Sequence, residues 1–180
     1  MRAAEIITGS NRSRVYLEDL TSGSLICAVA CGLRSDRIPD FAFPLNTDEL
    51  LISRTYRTQE ETAIADTSKL PNASTRDFTQ RFAIRASQHF PLIHNGRSIG
   101  VLCVDSSRRG QLPSVDQRRQ LTTFLGEVAP NIDLARRFHQ QLLVARQIDE
   151  AKKKEAALVM MKSAVRLIDK LSLASILCPK

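Results

Sequence analysis

The sequence predicts an α+β fold: a central antiparallel β-sheet of five or six strands, helices packed on one face, and a long C-terminal helix. Three observations predict it. Two pairs of apolar runs are each joined by a short turn sequence, Thr21-Ser22-Gly23 in the first and Asn95-Gly96 in the second. Helical patterns precede, separate and follow those pairs. From Ile132 to Leu171 there is no Pro or Gly and most residues are helix formers, which makes a continuous helix of about 60 Å.

Taken in order, residues 1–8 (MRAAEIIT) place Ala3, Ala4, Ile6 and Ile7 for burial of one helix side, with Gly9 as a stop. This helix is short, as if its beginning were missing. Residues 14–20 and 24–31 read as a hairpin. Residues 33–43 read as irregular. Asn46 stands three residues before Glu49, a capping-box spacing that predicts a helix over 47–57. Residues 62–66 read as a short strand and 67–72 as a loop. A helix over 74–86 follows, with Ser74 and Asp77 at cap spacing and Phe78, Phe82 and Ala86 on one face.

The second hairpin is the clearest element, because Asn-Gly readily takes the positive φ angles of a two-residue turn. Its strands cover 89–93 and 98–104. On the second, Ile99, Val101 and Cys103 point one way and Gly100, Leu102 and Val104 the other. Both faces are apolar, so this strand is central, and Gly100 marks a close approach. Ser114 with Gln117 forms a further capping box, opening a helix whose buried face is Leu121, Phe124, Leu125, Val128 and Ile132. Pro130 is expected to bend that helix.

At 180 residues and 43% hydrophobic content the chain can bury one good core. No apolar run approaches the ~20 residues of a membrane helix, and residues after Met1 lack a signal-peptide centre, so no membrane contact and a cytoplasmic address are expected. The net charge is +7, yet basic residues are scattered among acids, and there is no Trp and only two Tyr for base stacking. Nucleic acid is therefore not expected as a partner. Six of the seven lysines lie at or beyond Lys152, which marks a change in composition near residue 150.

Four cysteines invite a disulfide or metal reading. Cys27 and Cys31, on one strand and one face, would have Cα atoms about 13 Å apart, beyond the ~7 Å reach of a bridge. With Cys103 in the central strand and Cys178 near the end, no metal-ligand spacing exists, so no metal and no cofactor are expected. The thiols are expected to be buried and inert.

The opening pair around Tyr16-Leu17 and Gly23-Ser24, the stretch TYRTQEETAIAD, and the hairpin with Ile99-Gly100-Val101-Leu102 followed by Asp105 and a long helix occur in the order of a GAF domain. The chain resembles that bacterial sensor family over residues 1 to about 145. A PAS fold, the rival arrangement, would not need helices both before the first hairpin and after the last. The resemblance implies a small-ligand pocket between the sheet and the irregular segments on one face. Its expected wall is Phe43, Leu51, Asp66, Phe78, Arg81, Phe82 and Arg85. Arg81 and Arg85, four apart on one helix, would suit an anionic ligand.

The residues of several GAF chemistries are missing. The spaced Asn, Lys, Phe and Asp-Glu signature of cyclic-nucleotide binders does not occur, and no Cys has the adjacent His of bilin binders. His89 in a strand and His94 at a turn read as structural rather than haem ligands. The alternative enzyme reading is a GAF-type thiol reductase of free methionine sulfoxide, but a reactive thiolate needs a cation or helix N-terminus, not apolar strands.

The expected organisation is a sensor domain over 1–130, a connecting helix over 131–155 and a helical lead-in to a further domain over 156–180. Leu142, Ala145 and Ile148 form an apolar stripe, residues 152–155 interrupt it, and Leu158, Met161, Val165 and Ile168 resume it at steps of three and four. That is the seam of a parallel homodimer. The expected whole is a non-catalytic sensing and dimerisation module of a larger signalling protein.

Overall fold

The computed structural model describes residues 2–32, 42–47, 49–70, 76, 79–106 and 110–176, with the backbone alone described over 164–176. Helix α1 (Arg2–Thr8) leads into the hairpin of β1 (Arg12–Asp19) and β2 (Ser24–Cys31). Strand β3 (Ala42–Pro44), helix α2 (Leu51–Thr58) and strand β4 (Thr62–Ile64) come next. The hairpin of β5 (Ala86–His94) and β6 (Arg97–Ser106) precedes helix α3 (Val115–Ile176). The six strands form one antiparallel sheet in the order β3-β2-β1-β6-β5-β4.

The β1–β6 pairing puts the two hairpins side by side, so β6 lies in the middle and is buried from Ser98 to Ser106. At its turn Asn95 and Gly96 have φ of 51° and 71°, the two positive values that a type I′ turn requires. Residues 1–134 form one compact unit and 135–180 another. Within the first, α1 and the early part of α3 cover one face of the sheet. Ala4, Phe90, Leu92, Ile99, Leu102, Val104, Leu121, Leu125 and Ala129 are buried there. The expected apolar face of α3 is this contact, and each large side chain in it contributes about 1.5–3 kcal/mol. Helix α2 takes the other face, where Ile52 joins Tyr16, Leu25, Val101 and Cys103.

Several expectations are corrected. Helix α2 begins at Leu51 rather than 47, and the Asn46–Glu49 box does not open it: Leu50 is the extended N-cap, without a side-chain bond. The Leu45 amide still donates to the Gly23 carbonyl, and Leu50, itself extended, packs into the α2-side core just before the helix. Residues 42–44, expected to be irregular, pair with β2. The helix expected over 74–86 ends at Arg81. Ala83 takes φ 49°, its amide donates to the Gln80 carbonyl, and the Ile84 amide donates to that of Thr79, the paired bonds of a Schellman stop. Ala86 is then the first residue of β5. Ser74, Asp77 and Phe78 lie outside the described residues.

Two β-bulges change which side chains share a face. Tyr16 pairs Cys27 and Val15 pairs Val29, leaving Ala28 extra, so Cys31 stands opposite Ser13 on the face away from Cys27. Leu92 pairs Gly100 and Ile93 pairs Ser98, leaving Ile99 extra, and Ile99 joins Leu102 and Val104 instead of Val101. Cys27 and Cys31 are half-exposed rather than buried, and Cys103 is buried.

At the start of α3 the capping box forms. The Ser114 amide donates to Gln117 Oε1 at 2.8 Å and the Gln117 amide to Ser114 Oγ at 3.2 Å. Pro130 lies inside the helix. In the second unit Leu142, Ile148, Leu158 and Met161 are 45%, 51%, 52% and 68% exposed. Ala145 is exposed as well, and the side chains of Val165 and Ile168 lie outside the described residues. No helix among the described residues is long and apolar enough to cross a membrane.

Candidate functional site

On the α2 face the sheet carries a row of polar residues where apolar ones would pack more simply. Directly opposed residues share a face, so the pairings place Arg14 of β1, Cys103 of β6, His89 of β5 and Thr62 of β4 in one line across four strands. One pleat along, Asp105 and Ser87 face each other. Arg14, Ser87, His89 and Asp105 are all buried.

Their hydrogen bonds form one continuous chain. Arg14 Nη2 donates to Asp105 Oδ2 at 2.5 Å, and Arg14 Nη1 donates to the Tyr16 hydroxyl at 3.1 Å. The Ser87 hydroxyl donates to Asp105 Oδ1 at 2.7 Å. That leaves the Ser87 oxygen to accept from His89 Nε2–H, at 3.0 Å. His89 Nδ1 then accepts from the Thr62 hydroxyl at 3.0 Å, and Thr62 accepts from Thr55 of α2 at 2.6 Å. Each link fixes the next, and together they select the Nε2–H tautomer of a neutral imidazole.

The charges follow the same geometry. Burial pushes the His89 pKa down to about 4, with the Asp105 carboxylate opposing and Arg14 reinforcing the shift. Burial works against the Arg14 charge, but Asp105, Tyr16 and Cys103 together outweigh that cost, and Arg14 stays cationic with its pKa above the ordinary value. Burial raises the Tyr16 and Cys103 pKa values, holding both groups protonated, and raises that of Cys27. A buried ion pair depends on further hydrogen bonds to its members, and here Tyr16 accepts from Arg14 and Ser87 donates to Asp105.

The residues expected to wall a pocket are placed unevenly. Phe43 on β3 is half-buried and meets the Tyr16 ring edge-on, with centroids 5.2 Å apart. Leu51 opens α2, and its carbonyl is 3.5 Å from the Thr62 hydroxyl. The Phe82 side chain is buried, and its carbonyl accepts from Arg12 Nη1. Asp66 is exposed and caps the 3-10 turn Thr67–Lys69, its Oδ1 accepting from the Ser68 amide at 3.0 Å and hydroxyl at 2.6 Å. Those bonds lower its pKa. Arg81 and Arg85 are exposed, and they are not on one helix, because the chain turns between them.

Sequence reading missed the floor of this site. The signal was alternation: Arg12, Arg14 and Tyr16 on one side of β1 and Ser87 and His89 on one side of β5, opposite Val15 and Leu17 in the first and Phe90 and Leu92 in the second. Among the described residues no group of three or more His, Cys, Asp or Glu is arranged to hold a metal.

A family model for the GAF domain matches residues 2–133, and the chain belongs to that family. Solved structures share the fold. The GAF domain of a phosphoenolpyruvate-protein phosphotransferase from Coxiella burnetii is 16% identical, with TM-score 0.62, over 77% of this chain and 85% of that one. A GAF domain/HD domain protein from Geobacter sulfurreducens is 15% identical, with TM-score 0.61, over 73% and 86%. The GAF-B domain of DevS from Mycobacterium smegmatis is 15% identical, with TM-score 0.57, over 78% and 92%. A search of curated proteins returned no match.

Proposed function

We propose that this chain is a non-catalytic, small-molecule-sensing and dimerisation module of a larger bacterial signal-transduction protein in the cytoplasm. The observation that carries the reading is the GAF family match over residues 2–133. Its organisation is a sensor domain over 1–130, a connecting helix over 131–155 and a lead-in to a further domain over 156–180. The output that follows is a nucleotide cyclase, histidine kinase, diguanylate cyclase or transcriptional regulator. A small ligand and a second copy of the chain are its partners, and nucleic acid and membrane are not.

The ligand would lie over the polar floor formed by Arg14, Ser87, His89 and Asp105. Phe43, Leu51 and Phe82 wall it, Asp66, Arg81 and Arg85 stand at its rim, and Phe78 belongs to the same proposed set. The second copy would dock along Leu142, Ala145, Ile148, Leu158, Met161, Val165 and Ile168, since large apolar side chains in register are costly to leave wet.

The cysteine environments support the regulatory reading over the thiol reductase. Burial raises the pKa of Cys103 and Cys27, the opposite of what a nucleophilic thiolate needs. A turnover assay with free methionine sulfoxide separates the two. We expect none, and turnover lost on replacing Cys27 or Cys103 would replace this reading with the enzymatic one.

A further inference from the structure

We propose that Glu61 and Thr62 form a mechanical link that passes a displacement of α2, on one face of the sheet, to α3 on the other. The two residues are neighbours in sequence, and side chains of an extended chain alternate between faces. Thr62 opens β4 facing α2, where its hydroxyl meets Thr55 Oγ1 at 2.6 Å and His89 Nδ1 at 3.0 Å. Glu61 turns the opposite way. Its Oε1 accepts from the Thr122 hydroxyl of α3 at 2.9 Å, its Oε2 accepts from Gln88 Nε2 of β5 at 3.0 Å, and Arg118 of α3 lies 3.7 Å from Oε2. The Gln88 side chain is buried, so Glu61 is anchored to the sheet as well as to the helix.

Both ends of the link are therefore short hydrogen bonds to a helix, joined by a single peptide unit. Thr62 cannot follow α2 without moving Glu61, and Glu61 cannot move without straining its bonds to Thr122 and Arg118 or drawing α3 with it. Coupling of this kind travels through contiguous contacts. Its biological purpose rests on the sensor reading above, in which the ligand lies on the α2 face of the sheet, but the link itself needs no ligand.

That independence defines the test. Thr62→Val removes the hydroxyl on the α2 side at nearly constant volume, and amide resonances report where the change arrives. In the full chain, Thr62→Val should shift the amides of Thr55 and His89 and also those of residues 118–125 in α3. With Glu61→Ala or Thr122→Val already in place, Thr62→Val should still shift Thr55 and His89, and the shifts in 118–125 should fall severalfold. Thr122→Val alters only an exposed position and guards against loss of fold in the Glu61 variant. Shifts in α3 that persist undiminished in both backgrounds would overturn the link and assign the coupling to the apolar core behind β5. The same overturning follows if Thr62→Val leaves α3 unmoved from the start. Either failure would concern the link alone, because ligand binding and dimerisation are read by other measurements.

Discussion

The carbonyl oxygen of Tyr16 lies 2.3 Å from the point where a Cβ on residue 100 would stand, with Leu17 Cδ2 at 2.9 Å. The obstructing atom is backbone in the neighbouring central strand and cannot rotate aside. Gly100→Ala should destabilise the domain by about 1–3 kcal/mol, and Gly100→Val by more, through overpacking and displacement of β1. Urea denaturation checks this. A Gly100→Ala protein with the wild-type midpoint would contradict the close approach.

The buried pair Arg14–Asp105 should behave asymmetrically. Removing one partner leaves the other charge buried and uncompensated, so Asp105→Ala should cost about 3–5 kcal/mol. Replacing both, Arg14→Met with Asp105→Ala, should cost clearly less than the sum of the single changes. Denaturation of the four proteins in one cycle measures this, and additive losses would contradict a coupled pair.

His89 sets an acid dependence. Its pKa is about 4 when folded and near 6.5 in an open chain, so between those values the unfolded protein takes up a proton that the folded protein refuses. Stability is then lost as pH falls from 6.5 to 4, by about 3 kcal/mol at the lower end. Following the imidazole protons by NMR should show His89 neutral at pH 5.5. Titration of His89 near 6.5 in the folded protein would contradict the buried chain of hydrogen bonds.

Much of the fold was legible because it rests on short-range chemistry. Asn95-Gly96 had to turn, Ser114 and Gln117 had the spacing to cap each other, and Leu121, Leu125 and Val128 had helical periodicity toward the sheet. Gly100 was legible as a close approach. What failed was counting by twos across Ala28 and Ile99, because a bulge adds one residue through long-range pairing that leaves no local mark. The helix expected from Ser74 to Ala86 failed because Ala83 adopts a left-handed turn that its composition does not announce. The site floor stayed hidden for a related reason: Arg14, Ser87, His89 and Asp105 sit on three strands and meet only through register.

Those register effects alter the expected thiol reactivity. Cys103 is buried with a raised pKa, and Cys27 and Cys31 are half-exposed. Mass spectrometry after native-state alkylation should find Cys103 unlabelled until the protein unfolds, and Cys27 and Cys31 labelled at the slow rate of unactivated thiols. Rapid labelling of Cys103 in the folded protein would contradict its placement.

We propose that this GAF domain works as a dimer joined through its C-terminal helix, where Leu142, Ile148, Leu158 and Met161 lie exposed. Light scattering on the whole chain and on a version ending at Gln147 tests it most directly. A dimer at high micromolar concentration is expected for the whole chain and a monomer for the shortened one. A whole chain that stays monomeric, or a shortened one that dimerises equally well, would contradict it.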